Sequence, residues 1–165
     1  MTHPTKNTPP SPETAEIIRR KKAQYCRFTD TANWAQLEQL FLPNASFAFY
    51  NKDGSIMQST DGTLSSFSSR EEFMAYTLER WRTIQAIHVL GPGELTHISA
   101  DEISAIWSSI THIGPKEAGT GGHVVGGAYY EEIWSFQDGD WYIKRMTATL
   151  VYRQSEEAPK PASKA

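Results

Sequence analysis

Tyr25-Cys26-Arg27-Phe28-Thr29-Asp30-Thr31-Ala32-Asn33-Trp34 closes one amphipathic helix and opens another. It sets a phenol and a carboxylate five residues apart among apolar neighbours. Working back from it, Ser11-Pro12-Glu13 supplies a capping hydroxyl, a proline at the first helical position and an acid in the first turn, so a helix is predicted from about residue 12. Ile17, Ile18, Tyr25 and Phe28 are expected on one broad side of it. The run Arg19-Arg20-Lys21-Lys22 points around the whole helix and reads as solvated surface rather than a localisation or phosphate-binding cluster. Working forward, Asn33 caps a second helix carrying Trp34, Leu37, Leu40 and Phe41, which Pro43-Asn44 stops.

Beyond that point the periodicity changes. Residues 45–50 alternate small and aromatic side chains as a strand does, and Asp53-Gly54 turns the chain back into 55–58 as a hairpin. Ser69-Arg70-Glu71-Glu72 reads as a capping box that opens a third helix through about Trp81. Everything later is strand: 83–98, a turn at Ser99-Ala100-Asp101, then 102–113, a Gly/Pro-rich loop over 114–122, and a long hairpin of 123–136 and 141–152. Three helices before a long antiparallel meander predict an α+β fold with helices on one face of a curved sheet. The last hairpin carries bulk on both parities, Tyr129, Ile133, Trp141 and Ile143 on one and Tyr130, Trp134, Phe136, Met146 and Leu150 on the other. A sheet with one wet face alternates cleanly, so the second face is expected to be covered by another subunit.

The chain of 165 residues is sized for one domain, with 39% hydrophobic and 12% aromatic residues. The expected organisation is a tail over 1–11, a domain over 12–153 and a second tail over 154–165, the tails being Pro, Lys, Ser and Thr segments too polar to order themselves. A net charge of −3 gives no polycationic surface for nucleic acid and no pull toward anionic membranes. No apolar run approaches membrane-spanning length, and the first residues lack the apolar core of a signal peptide, so a cytoplasmic location is expected. The single cysteine, Cys26, excludes an internal disulfide and reads as packing.

The candidate chemistry centres on His88, within the apolar strand segment Ala86-Ile87-His88-Val89-Leu90. Histidine alone titrates close enough to neutrality to take and return a proton easily. An aspartate accepting one ring N–H would fix the tautomer, free the other nitrogen as base and stabilise the imidazolium; Asp30 is the candidate. Tyr25, still protonated at neutral pH, can donate to a carbonyl or departing hydroxyl oxygen. Residues five apart do not share a helical face, so Tyr25 and Asp30 converge only if the helix loosens near Thr29. His112 is a second pocket candidate at a strand end. Phe49, Trp107, Tyr129, Tyr130, Glu131 and Met146 are candidates to line the substrate site. His3, His97 and His123 read as solvated, and no histidine pair has metal-site spacing, so no metal is expected. Gly119-Thr120-Gly121-Gly122 leads into a strand, not a helix, and is read as a loop rather than a phosphate cradle.

The order of elements, with Tyr25 and Asp30, Trp34, Leu40-Phe41-x-Pro43-Asn44, His88, Gly126-Gly127-Ala128-Tyr129-Tyr130 and Asp138-Gly139-x-Trp141, resembles the SnoaL-like branch of the nuclear-transport-factor-two-like superfamily. The likeness covers about residues 12–152 and is greatest toward bile-acid dehydratases and scytalone dehydratase-like proteins. It implies a cone-shaped α+β barrel enclosing a deep pocket, with a Tyr, an Asp and a His at Tyr25, Asp30 and His88. It implies no metal and no organic cofactor, and homotrimers or homodimers. A further acid or histidine of the family falls near Thr111 or His112. Leu150 stands where bile-acid dehydratases carry an arginine, and Thr29 and Phe49 stand where scytalone dehydratase carries pocket tyrosines. The function expected is a cofactor-independent dehydratase or isomerase for a hydrophobic polycyclic or polyketide-like molecule. The alternatives are a cyclase or rearrangement catalyst working as an acid, or a ligand-binding domain without turnover.

Overall fold

The computed structural model describes residues 7–59, 61–117 and 122–156. The tail segments 1–6 and 157–165 and positions 118–121 of the glycine loop lie outside the described residues. Of the N-terminal segment, Asn7 donates its backbone N–H to His97 O at 3.0 Å and Thr8 O accepts from His97 N–H at 2.8 Å.

Helix α1 runs Pro12–Asp30, its first turn capped by the Ser11 hydroxyl, which accepts from Thr14 N–H. Its buried stripe is Ala15, Ile18, Lys22, Tyr25, Cys26 and Thr29, the three-and-four spacing of a core-facing helix. Ile17 is off that stripe and exposed, and Lys22 is on it. Four consecutive basic residues therefore do not all face water: Lys22 is fully buried.

Helix α2, Trp34–Glu38, is shorter than its apolar spacing predicts. Phe41 already belongs to strand β1, Phe41–Tyr50. Pro43 and Asn44 sit in the irregularity between Phe41 and Ser46 where β1 departs from its partner, so they bend a strand instead of ending a helix. The chain after β1 turns at Gly54, with isolated bridges joining Tyr50 to Ile56 and Gln58 to Leu64. Strand β2 is only Ser66–Phe67. Helix α3, Arg70–Arg80, is capped by Ser69, but the Glu72 carboxylate reaches the N–H of Ser68 at 2.7 Å, one residue before the usual capping-box partner.

The meander follows as β3 Ile84–His97, β4 Glu102–Pro115, β5 Val124–Gln137 and β6 Asp140–Ser155. The sheet order is β2-β1-β6-β5-β4-β3, all antiparallel except the β1–β6 pair. The result is a mixed α+β fold with three helices and a curved, unclosed six-stranded sheet. Two bulges shape it. Gly91-Pro92 is inserted against Ser108, and Gly93 is the residue over which the Trp107 ring passes: a Cβ there would lie 2.1 Å from Trp107 Cζ3. Lys144 is the extra residue between the Ile133–Arg145 and Trp134–Ile143 pairs. That bulge flips parity, so Trp141, Ile143, Met146 and Ala148 are all buried on the inner face with Trp134. Much of the apparent two-sidedness of the last hairpin comes from this one residue. The outer face still exposes Ile87, Val89, Ile110, Tyr129 and Tyr152.

Candidate active site

Asp30 is the last residue of α1, and the helix stays regular up to it; Thr29 Oγ1 bonds back to Tyr25 O at 2.8 Å. The chain unwinds only at Thr31 and Ala32, where Ala32 takes a φ of 55°. The expected loosening at Thr29 does not occur and is not needed. Tyr25 faces the cone interior directly, while Asp30 reaches it through His88. Strand β3 is the sheet edge, and the His88 N–H on that open edge donates to Asp30 Oδ2 at 3.0 Å. The other carboxylate oxygen lies 2.5 Å from His88 Nδ1. One carboxylate therefore holds both the backbone and the ring of residue 88, with the two side chains 15% and 6% exposed. His88 Nε2 has no protein partner among the described residues, and the ring lines an interior cavity.

That cavity has a volume of about 220 Å³. Its walls include Tyr25 and Thr29 of α1, Phe49 of β1, Phe73 and Tyr76 of α3, and Thr111, Ala128, Tyr130 and Leu150 of the sheet. Phe49, Phe73 and Phe47 stack behind one wall, with Phe47 and Phe73 4.0 Å apart at 10°. Burial drives the phenols of Tyr25 and Tyr130 well above their ordinary pKa, and the two rings meet edge-on with centroids 6.3 Å apart. Both rings are therefore neutral donors across the physiological range. Burial likewise pushes the Cys26 thiol up to about 11.

Of the residues predicted to form the site, Tyr25, His88, Phe49 and Tyr130 line the cavity, and Asp30 stands directly behind His88. His112 does not: Thr111 pairs with His88 across the strands, which turns His112 to the outer face, where it stacks on His123 with ring centroids 5.3 Å apart. Tyr129 and Glu131 also point outward, since they alternate with Tyr130. Trp107 and Met146 are buried but lie below the cavity rather than on its wall.

Beneath the phenols lies a polar cluster that sequence reasoning missed. Lys22 Nζ sits 4.2 Å from the Tyr25 ring centroid and 4.0 Å from that of Tyr130. It pairs at 2.5 Å with Glu132 Oε1, while Glu132 Oε2 accepts the indole N–H groups of Trp107 and Trp134, both at 2.9 Å. The signal was present: Lys22 shares the stripe of Ile18, Tyr25 and Thr29, and Glu132 the parity of Tyr130 and Trp134. No group of three or more His, Cys, Asp or Glu side chains suited to a metal ion occurs among the described residues. No helix among them is long and apolar enough to cross a membrane.

The family model described as a SnoaL-like domain matches residues 12–147. The chain belongs to the SnoaL-like family. Within this SnoaL-like protein the match runs from the start of α1 into β6 and so takes in Tyr25, Asp30 and His88. A relative from Gibberella zeae, named probable cyclase FGR4, is 43% identical over 143 residues, covering 86% of this chain and 94% of its own. Solved structures share the fold, and two of them illustrate it. A hexachlorocyclohexane dehydrochlorinase, LinA type 2, has a TM-score of 0.72 at 15% identity, covering 92% of this chain and 95% of its own. A scytalone dehydratase-like protein of Novosphingobium aromaticivorans has a TM-score of 0.71 at 13% identity, covering 91% and 93%.

Proposed function

We propose that this SnoaL-like protein is a lyase or isomerase that removes an acidic proton beside a carbonyl in a small, mostly apolar molecule. The observation that carries the proposal is the His88–Asp30 pair on the cavity wall. Asp30 accepts a hydrogen bond from Nδ1–H, so the Nε2 lone pair is the base and the imidazolium that forms is stabilised. Nε2 takes the proton and the electron pair moves into an enolate. The enolate collapses to expel hydroxide from the β-carbon, which leaves as water with the proton that His88 returns. Where there is no β-hydroxyl, reprotonation at the remote carbon migrates the double bond. Tyr25, kept neutral by burial, donates a hydrogen bond to the substrate oxygen. General acid–base assistance of this kind is worth roughly 10²–10⁴-fold. No cofactor takes part in this scheme.

A cavity of about 220 Å³ is below the roughly 300–1,000 Å³ usual for drug-sized ligands. The substrate is therefore a one- or two-ring polyketide-like compound rather than a steroid. The name of the relative from Gibberella zeae supports a second reading, ring closure with the same groups, His88 acting in its protonated form. The exposed outer face, with Ile87, Val89, Ile110 and Tyr129, supports association with further copies of the chain.

The test is a bicyclic β-hydroxy ketone whose loss of water gives a naphthol, followed by absorbance against pH. Elimination predicts a rate that rises with pH and is lost in His88→Asn. A rate that falls as pH rises favours the acid role, and turnover unchanged in His88→Asn refutes both.

A further inference from the structure

The far side of the cavity from His88 carries a chemistry that proton abstraction does not use. Register places His88 of β3, Thr111 of β4, Gly126 of β5 and Arg153 of β6 in one cross-strand row on the concave face. All four line the cavity. Three strand spacings separate the ends of that row, roughly 14 Å along the sheet, and the two residues between are small, so the floor between His88 and Arg153 is low. Arg153 faces inward because of a bulge. Leu150 pairs with Ala128 and Tyr152 with Gly127, so the extra Val151 returns Arg153 to the side of Leu150.

A second guanidinium, Arg80 at the end of α3, lines the same cavity. A basic residue in a last helical turn complements the helix dipole, but that accounts for Arg80 alone and not for Arg153. Both arginine side chains are exposed and neither forms a hydrogen bond or ion pair among the described residues, although Arg80 also borders a surface groove with Asp61, Glu72 and Glu79. No carboxylate lines the cavity among the described residues, in a chain whose net charge is −3. Trp81, next to Arg80 and also on the cavity wall, has its indole N–H buried without an acceptor. A buried donor without a partner is rare in a native fold and is explained when a ligand supplies the acceptor. Two guanidiniums and an orphan N–H line this cavity and, among the described residues, no carboxylate does, so its lining favours an anionic group, with Asn51, Gln58 and Thr77 as neutral polar neighbours.

We propose that Arg80 and Arg153 form an anion subsite, and that the substrate carries a carboxylate which they hold while its reacting carbon lies at His88. This rests on the reading of the cavity as a substrate site, and it adds the substrate class: a small ring ketone that also bears a carboxylate. The planar fork of arginine fits a carboxylate by paired hydrogen bonds. The remaining wall, Phe49, Phe73, Ala128 and Leu150, takes the apolar body.

The experiment is a binding titration of the intact chain, read by tryptophan fluorescence and by calorimetry, and needs no turnover. The probes are 2-naphthoate and its neutral isostere 2-naphthamide. Wild type binds the carboxylate about tenfold or more tightly than the amide, as expected where charge-assisted hydrogen bonds are gained, and the preference shrinks as salt is raised. Arg80→Gln and Arg153→Gln each reduce the preference, and the double variant abolishes it while leaving amide affinity within about twofold. His88→Asn leaves the preference intact, so failure of the catalytic reading and failure of the subsite are separable. Equal affinity for the two probes, failure to bind either, or a preference that survives in the double variant overturns the proposal.

Discussion

Lys22→Met removes an ammonium that lies 2.5 Å from Glu132 while keeping an unbranched stem of similar length. Both side chains are fully buried, so the loss leaves the Glu132 carboxylate with two indole donors and no counter-charge. Stranding one partner of a buried pair costs about 3–5 kcal/mol. At roughly 2–4 °C per kcal/mol for a chain of this size, Tm falls by about 6–20 °C. The Tyr25 and Tyr130 rings also lose their contact with the cation, a smaller effect of order 1–2 kcal/mol. Adding Glu132→Gln removes the stranded charge and keeps an oxygen for the indoles. The double variant is then expected within about 2 kcal/mol of wild type, because neutral replacement of a buried pair is often energetically even. Urea denaturation of the wild type, both single variants and the double variant gives the coupling directly. A Lys22→Met cost under about 1 kcal/mol, or a double variant no better than the worse single one, refutes the description of this cluster as a desolvated charge pair.

Alkaline pH probes a second buried group. The Cys26 thiol rises from 9.0 unfolded to about 11 folded, so the stability it contributes is complete below pH 9.0 and is lost as pH rises through about 11. Over that window Cys26→Ala removes close to one proton from the slope of stability against pH, about 1.4 kcal/mol per unit, measured by urea melts. Gly93→Ala drives a methyl into the Trp107 ring and is expected to cost about 1–3 kcal/mol in a thermal melt. On the outer face, light scattering is expected to report an oligomer that Val89→Lys together with Tyr129→Lys converts to monomer; a monomeric wild type sinks that proposal.

Local signals carried most of the architecture. The Ser11 and Ser69 caps, the Asp138-Gly139 turn and strand alternation were legible because each is decided by a few neighbouring residues. What sequence missed was decided at longer range. Phe41 follows helical spacing yet pairs with Ile143 of the last strand, since tertiary pairing outweighs local propensity. Lys22 looked solvated because its partner, Glu132, is 110 residues away. Trp141 and Ile143 seemed to oppose Met146 because the bulge at Lys144 has no sequence signature of its own. In the site, the Tyr25, Asp30 and His88 set was legible as residue types, but not the way Asp30 seizes both the edge N–H and the ring. His112 and Glu131 were each one residue out of register with the inward-facing Thr111 and Glu132.

The tautomer of His88 is the property on which the chemistry turns, and ¹⁵N NMR of the ring nitrogens across neutral pH measures it without any substrate. The neutral ring is predicted to carry its proton on Nδ1, facing Asp30, with Nε2 bare toward the cavity. Asp30→Asn is predicted to disturb that preference while the fold persists. A neutral ring protonated at Nε2, or one that samples both tautomers equally in the wild type, would contradict the assignment of His88 as the base.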